Sequence, residues 1–165
     1  MTHRPKVDNL STQLKIAHRM MMKAEALPIV LASDPSKNDI YLLSNEPNNR
    51  MSNVLEEGES HYRNKQPTFI FDLYNGENCY ISEVIVDPSE PAPGDTEIFV
   101  SDNSKEWKKV EYNSTKDLKR HYLLIGEQYG KYLKIHFLNN ERKGYFVGIR
   151  RIQVKGSKQT STMYK

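Results

Sequence analysis

From Pro28 onward, apolar residues tend to recur at every second position, in short runs parted by Pro, Gly, Asn and Asp clusters. The runs are PIVLAS, DIYLL, TFIFDL, CYISEVIV, DTEIFVS, EWKKVEY, RHYLLI, KYLKIHFL and YFVGIRRIQV. Period two at roughly ten-residue spacing predicts the strands of an antiparallel sandwich or barrel. The clearest alternation turns Leu133, Ile135 and Phe137 inward and Tyr132, Lys134 and His136 to the opposite side. PSEPAPGD, Pro88 to Asp95, reads as a rigid connecting loop, and SDNS, Ser101 to Ser104, as a tight hairpin turn.

One run breaks its own rhythm. In GYFVGIRRIQVKG, Val147 and Ile149 share one face and Ile152 and Val154 the other, so the apolar phase switches across Arg150 and Arg151. The switch predicts a bulge or a change of packing partner, with Gly148 permitting it. Two arginines at that point either grip phosphate or hold neighbouring strands together.

Ahead of the strands the period changes. Leu10, Leu14, Ala17, Met21 and Ala24 recur at i, i+3 and i+4 spacing, which predicts an α-helix from about Asn9 to Ala26 that Pro28 stops. Lys15, His18, Arg19 and Lys23 lie off the stripe, giving a basic amphipathic arm over residues 1–27. Met20 to Met22 suit either an adaptable contact surface or core packing. The tail GSKQTSTMYK is polar and is expected to fray. The expected organisation is an arm over 1–27, a sandwich over 28–156 and a flexible tail over 157–165.

At 165 residues and 37% apolar composition the chain suits a single folded domain. Cys79 is the only cysteine, which removes disulfide frameworks and thiolate zinc clusters and favours a reducing compartment. No apolar run reaches the ~18 residues a bilayer requires, and the N-terminus lacks a secretory apolar segment. The expectation is an intracellular, cytoplasmic setting, with ciliary, cytoskeletal or nuclear placement left open. Asp8, Glu25 and the presence of only two arginines in the arm argue against a mitochondrial presequence.

The net charge is only +3, but it is unevenly laid out. Residues 28–103 hold four basic and fourteen acidic side chains, and residues 104–165 hold fifteen basic and five acidic. Where early and late strands are neighbours, such halves neutralise one another rather than form a basic face.

The catalytic templates are missing: there is no GxSxG, P-loop, GxGxxG or HExxH. His3, His18, His61, His121 and His136 stand singly without metal-ligand spacing, and Glu56, Glu57 and Glu59 form an acidic turn rather than an acid/base pair. No enzyme, metal or cofactor is expected. Lys105, Lys108, Lys109, Lys119, Arg120, Arg142, Lys143, Arg150 and Arg151 are spread over several strands and interrupted by acids, so nucleic acid is not the expected partner.

The order of the runs resembles the discoidin, or coagulation factor 5/8 type C, family with its galactose-binding-like jelly roll. Asn53-Val54-Leu55-Glu56-Glu57-Gly58 is similar to the family's N-[VA]-[IL]-D-G segment with one acidic residue extra. Gln66 to Leu73 resembles its P-Q-W-I-x-[IV]-D-L strand, and Ile81-Ser82-Glu83-Val84 the I-[ST]-x-[VI] that follows. Glu97 to Trp107 resembles the hairpin E-[IV]-[YF]-x-S-x-D-G-x-x-W, and Lys131 to Ile135 the strand R-[YF]-[LIV]-R-[ILV]. The likeness runs in order from about Val30 to Gly156. The family's terminal cysteine pair is absent, and His61-Tyr62 replaces its usual tryptophan. Exposed apolar residues for lipid insertion are not evident in ASDPSKND or SNEPNNRMS.

The resemblance implies an all-β jelly-roll sandwich whose ligand surface is one end, built by loops at about Asp34 to Arg50, Glu59 to Lys65 and Asp87 to Gly94. Lys37, Asn38, Asp39, His61, Tyr62, Arg63 and Glu90 become the candidate binding residues, with Asn139 to Lys143 expected at the opposite end. Asp72, Trp107, Arg150 and Arg151 are assigned to the scaffold, since the closing strand would run beside Thr68 to Leu73 and offer Asp72 to one arginine. The functional expectation is a non-catalytic protein-protein interaction module, an adaptor or subunit of an intracellular complex. The alternatives are a carbohydrate- or small-ligand-binding domain and a nucleic-acid-repair-type scaffold.

Overall fold

The computed structural model describes residues 24–32, 49–58, 60–117 and 119–159. They form eleven strands: β1 (Glu25–Ala26), β2 (Val30–Leu31), β3 (Tyr62–Lys65), β4 (Thr68–Asp72), β5 (Cys79–Pro88), β6 (Thr96–Ser101), β7 (Lys108–Val110), β8 (Tyr112–Lys116), β9 (His121–Gly130), β10 (Tyr132–Phe137) and β11 (Phe146–Lys158). A 3-10 turn covers Met51–Leu55. One sheet runs β1-β11-β5-β9-β8, with β3 also on β11, and the other runs β2-β4-β10-β6-β7. All the pairings are antiparallel, so the fold is the expected all-β sandwich.

Period-two alternation builds the core from both layers. Leu133 and Ile135 are completely buried and Phe137 is 1% exposed, as the alternation in KYLKIHFL predicts. Phe69 lies between Phe71, stacked at 5.9 Å, and Phe137, edge-on at 6.0 Å, which locks the middle of the second sheet. Ile81, Val84 and Val86 of β5 and Leu123 and Ile125 of β9 face them from the first sheet. Cys79 is fully buried at the start of β5, and burial, then the Glu77 and Asp72 charges, push its thiol from an ordinary value near 9 up to about 11.

Strand β11 resolves its broken phase with a bulge. Ile149 pairs with Pro88 and Arg151 with Asp87, leaving Arg150 as the extra residue. Val147, Ile149, Ile152 and Val154 therefore all face one core, each no more than 1% exposed. Gly148 serves a different purpose from the one expected. A Cβ there would stand 2.5 Å from the Glu90 carbonyl oxygen, because the loop after β5 folds onto it. Ser89 donates its N–H to the Gly148 carbonyl at 3.0 Å, and the Gly148 N–H donates to Pro91 at 2.7 Å.

Several expectations need correcting. Glu25 and Ala26 pair with Gly156 and Lys155 and Leu27 is buried, so the expected helix does not extend to Ala26; most of its predicted span lies outside the described residues. The sheet accordingly begins before Pro28, and β11 continues past Gly156 to Lys158. β11 does not run beside Thr68 to Leu73, because β4 belongs to the other sheet, between β2 and β10. Asp72 therefore does not meet the arginines. Its Oδ1 accepts the N–H groups of Tyr74 and Gly76 and closes the turn after β4. Trp107 stays on the scaffold, half-buried, with the Lys134 ammonium 4.5 Å from its ring. SDNS is a turn, held by Ser101 Oγ accepting the N–H groups of Asn103 and Ser104.

Two outcomes test this packing. Gly156→Ala would drive a Cβ into the Tyr80 carbonyl oxygen across the sheet, whereas Gly126 has open space around it. G156A is expected to lose about 1–3 kcal/mol, and G126A to stay within about 0.5 kcal/mol or gain slightly, both read from urea melts. For Cys79, the folded thiol holds its proton more tightly than the unfolded one. Its contribution is thus fully present below pH 9 and is lost as pH rises toward 11. Cys79→Ala should remove that part of the alkaline slope.

Candidate functional site

The loops after β5 and after β10 share one end of the sandwich because β6 begins opposite the end of β10, with Thr96 against Phe137. They hold one another directly. Gly94 donates its N–H to the Asn139 carbonyl at 2.8 Å, Glu141 donates to Ala92 at 2.9 Å, and Lys143 meets Asp95 at 2.8 Å. Asn139 to Lys143 therefore lie beside the loop that carries Glu90, not at the opposite end as expected.

The candidate binding residues divide in the structure. Lys37, Asn38 and Asp39 lie outside the described residues. Tyr62 is not a rim residue. YRNK forms a strand, and alternation turns Tyr62 inward, 1% exposed and edge-on to Phe69 at 5.6 Å, with Asn64 donating to its hydroxyl. Arg63 and Glu90 do meet, through a hydrogen bond from Arg63 Nε to the Glu90 carbonyl. Asn49, buried, clasps the other side of Arg63: its Oδ1 accepts the Arg63 N–H and its Nδ2 donates to the Arg63 carbonyl, both at 2.7 Å. Asn53 Nδ2 donates to the His61 carbonyl at 2.9 Å. These bonds tie the 49–55 segment to β3, and Arg63 and the main chain of His61 act as its anchors.

A more open concavity, of about 700 Å³, lies on the outward face of the first sheet at the same end. It is lined by Asp87, Pro88, Asp117, Lys119, Arg120, Tyr122 and Arg150. Tyr122 belongs to the outward set of β9, between Thr115 of β8 and Ile85 of β5. Arg120 Nε donates to Asp87 Oδ1 at 2.9 Å. The Asp87 carboxylate, and then a hydrogen bond with Tyr122, raise the Arg120 guanidinium further above its ordinary value. Asp117 Oδ1 accepts the N–H groups of Lys119 and Arg120 at 2.8 Å each. Those bonds hold its carboxyl below the usual carboxylate range and fix the β8–β9 turn. The bulge delivers Arg150, exposed, to the groove's edge.

Arg151 is the partly buried arginine of the pair, its side chain 23% exposed and 3.9 Å from Glu57. Its Nε has no hydrogen-bond partner among the described residues. Single-sequence reading missed the groove because Asp87, Arg120, Tyr122 and Arg150 come together only through the registers of β5, β9 and β11. The available signal was weak: Tyr122 two residues after Arg120 in KRHYLL, at a strand start.

No protein-family model and no curated protein sequence matches the chain. Solved structures do match its fold, which is the galactose-binding-like jelly roll. The chain is similar to the family 32 CBM from Clostridium perfringens NanJ in complex with galactose. That match has 13% identity and a TM-score of 0.60, and covers 80% of this chain and 98% of that one. It is also similar to the C-terminal domain of a chitobiase from Bacteroides fragilis, at 15% identity and TM-score 0.56, covering 83% and 95%. A third is chitosan-binding module 1 from the chitosanase/glucanase of Paenibacillus sp. IK-5, at 14% identity and TM-score 0.55, covering 79% and 94%. At these identities the likeness concerns the fold.

The arginine assignment is testable. Arg151→Ala is expected to destabilise the fold by about 1 kcal/mol through lost packing of its stem. Arg150→Ala should stay within about 0.5 kcal/mol, as an exposed residue does. Equal and negligible effects in chemical melts would show that neither arginine supports the strand.

Proposed function

We propose that this chain is a non-catalytic carbohydrate-binding domain that holds a saccharide in the groove of the first sheet, against Tyr122. The observation that carries the reading is the half-buried Tyr122 ring beside the Arg120–Asp87 pair, in a concavity of about 700 Å³. A sugar ring presents an apolar C–H face and a polar hydroxyl edge. An aromatic surface bordered by fixed donors and acceptors meets both at once. The Asp87 oxygen accepts and the guanidinium donates. The existing ion pair fixes both groups, so little ordering entropy is lost on binding.

The fold supports this reading over an adaptor role, since several of its solved counterparts are described as carbohydrate-binding modules. Hydrolysis is not part of the proposal. A glycosidase needs a carboxylic acid that stays protonated near neutral pH. In the groove, Asp117 is shifted the other way by the turn N–H groups. The single buried cysteine keeps a reducing compartment as the expected setting.

A glycan array followed by titration calorimetry tests the reading. At least one saccharide class should bind saturably, and Tyr122→Ala and Arg120→Ala should each weaken it about tenfold or more, ~1.4 kcal/mol, with unchanged melting temperature. An array without binders, or variants that bind like the parent chain, would overturn it.

A further inference from the structure

A second hollow lies on the other face of the same β8–β9 hairpin, between the two sheets. Its volume is about 260 Å³. At roughly 30 Å³ per liquid water, that is space for about nine waters, and it falls just below the range typical of drug-sized ligands. Its deep walls are apolar: Leu123 and Phe137 are core residues. Its mouth is polar, with Ser114 and Lys116 exposed on β8.

His121 also lines this hollow, and it is only 6% exposed. The ring nitrogens of His121 are not among the buried side-chain atoms that lack a partner, and no hydrogen bond ties the ring to another described residue, so it is open to the hollow. The neighbouring hydroxyl does not supply one, since Tyr112 donates to the Thr96 carbonyl at 2.7 Å.

The charges around the hollow are close to balance. Burial, and then the Lys116 cation, hold His121 below its ordinary value, against weaker opposing effects from Glu141 and Asp117. Asp95 at the mouth is neutralised by Lys143 at 2.8 Å. A neutral imidazole offers one N–H donor and one lone-pair acceptor. That pairing suits a hydroxyl group, which both accepts and donates. It does not by itself select an anion.

We propose that this cavity is a second binding site, which takes a single neutral hydroxylated ring, one pyranose unit, with His121 as its innermost hydrogen-bonding group and Ser114 and Lys116 at its entrance. The site stands on its own residues and shares none with the Tyr122 groove, so either can fail without the other.

The test follows the His121 ring resonances of the full chain by NMR while free galactose, glucose, N-acetylglucosamine and galacturonate are titrated in turn. A neutral monosaccharide is expected to shift the His121 ring saturably. Ser114→Trp, which plugs the mouth from an exposed strand position, should weaken that binding about tenfold or more. Tyr122→Ala, in the groove, should leave it unchanged. Absence of any saturable shift with the neutral sugars overturns the proposal. So does a response to galacturonate alone, or a response that survives Ser114→Trp. Loss of the His121 response in Tyr122→Ala would assign the effect to the groove and likewise overturn it.

Discussion

Strand β11 has to keep Val147, Ile149, Ile152 and Val154 against one core although the parity of their spacing changes between Ile149 and Ile152. Side chains on a strand alternate strictly, so without an extra residue half of that set would be turned to water. The bulge at Arg150 supplies the extra residue. It lets one thirteen-residue strand serve β5 along one edge and β3 and β1 along the other. The rest of the end follows from it. Pro88 becomes the last paired residue of β5 beside Ile149, the following loop folds onto Gly148, and Arg150 is turned outward beside Asp87 and Arg120.

Electrostatics completes the arrangement. The acid-rich early half and the base-rich late half meet in ion pairs: Glu97 with Lys109, Asp87 with Arg120, Asp95 with Lys143 and Glu77 with Lys158. Each exposed pair is worth little to stability. Together they engage four of the fifteen basic side chains of the late half, at the points where the two halves meet. At the β8–β9 turn the pairing leaves a fixed donor-acceptor couple beside an aromatic ring.

Much of the sandwich was legible in the sequence, because alternation directly encodes which face is buried. KYLKIHFL, TFIFDL and DTEIFVS show it as β10, β4 and β6. The bulge was legible too, from the phase change alone. Strand partnership was not: nothing in one sequence says that β4 and β11 lie in different layers, so Asp72 was paired with the wrong neighbours. β3 was read as loop because its inward set is Tyr62 and Asn64, one of them polar, and its edge is completed by the Asn49 side chain rather than by a regular strand. The groove was hidden for the same reason as the partnerships. Arg120 and Arg150 stood out only as members of a scattered basic set, and Tyr122 as a strand residue, until register brought them to Asp87.

We propose recognition on the outward face of the first sheet, with Arg63 and the Glu90 main chain tied into the scaffold. Amide chemical-shift mapping of the full chain with a saccharide that binds it tests this most directly. The largest perturbations are predicted at Asp87, Arg120, Tyr122 and Arg150. Perturbations concentrated instead at His61, Arg63 and Glu90, with the groove silent, would contradict it.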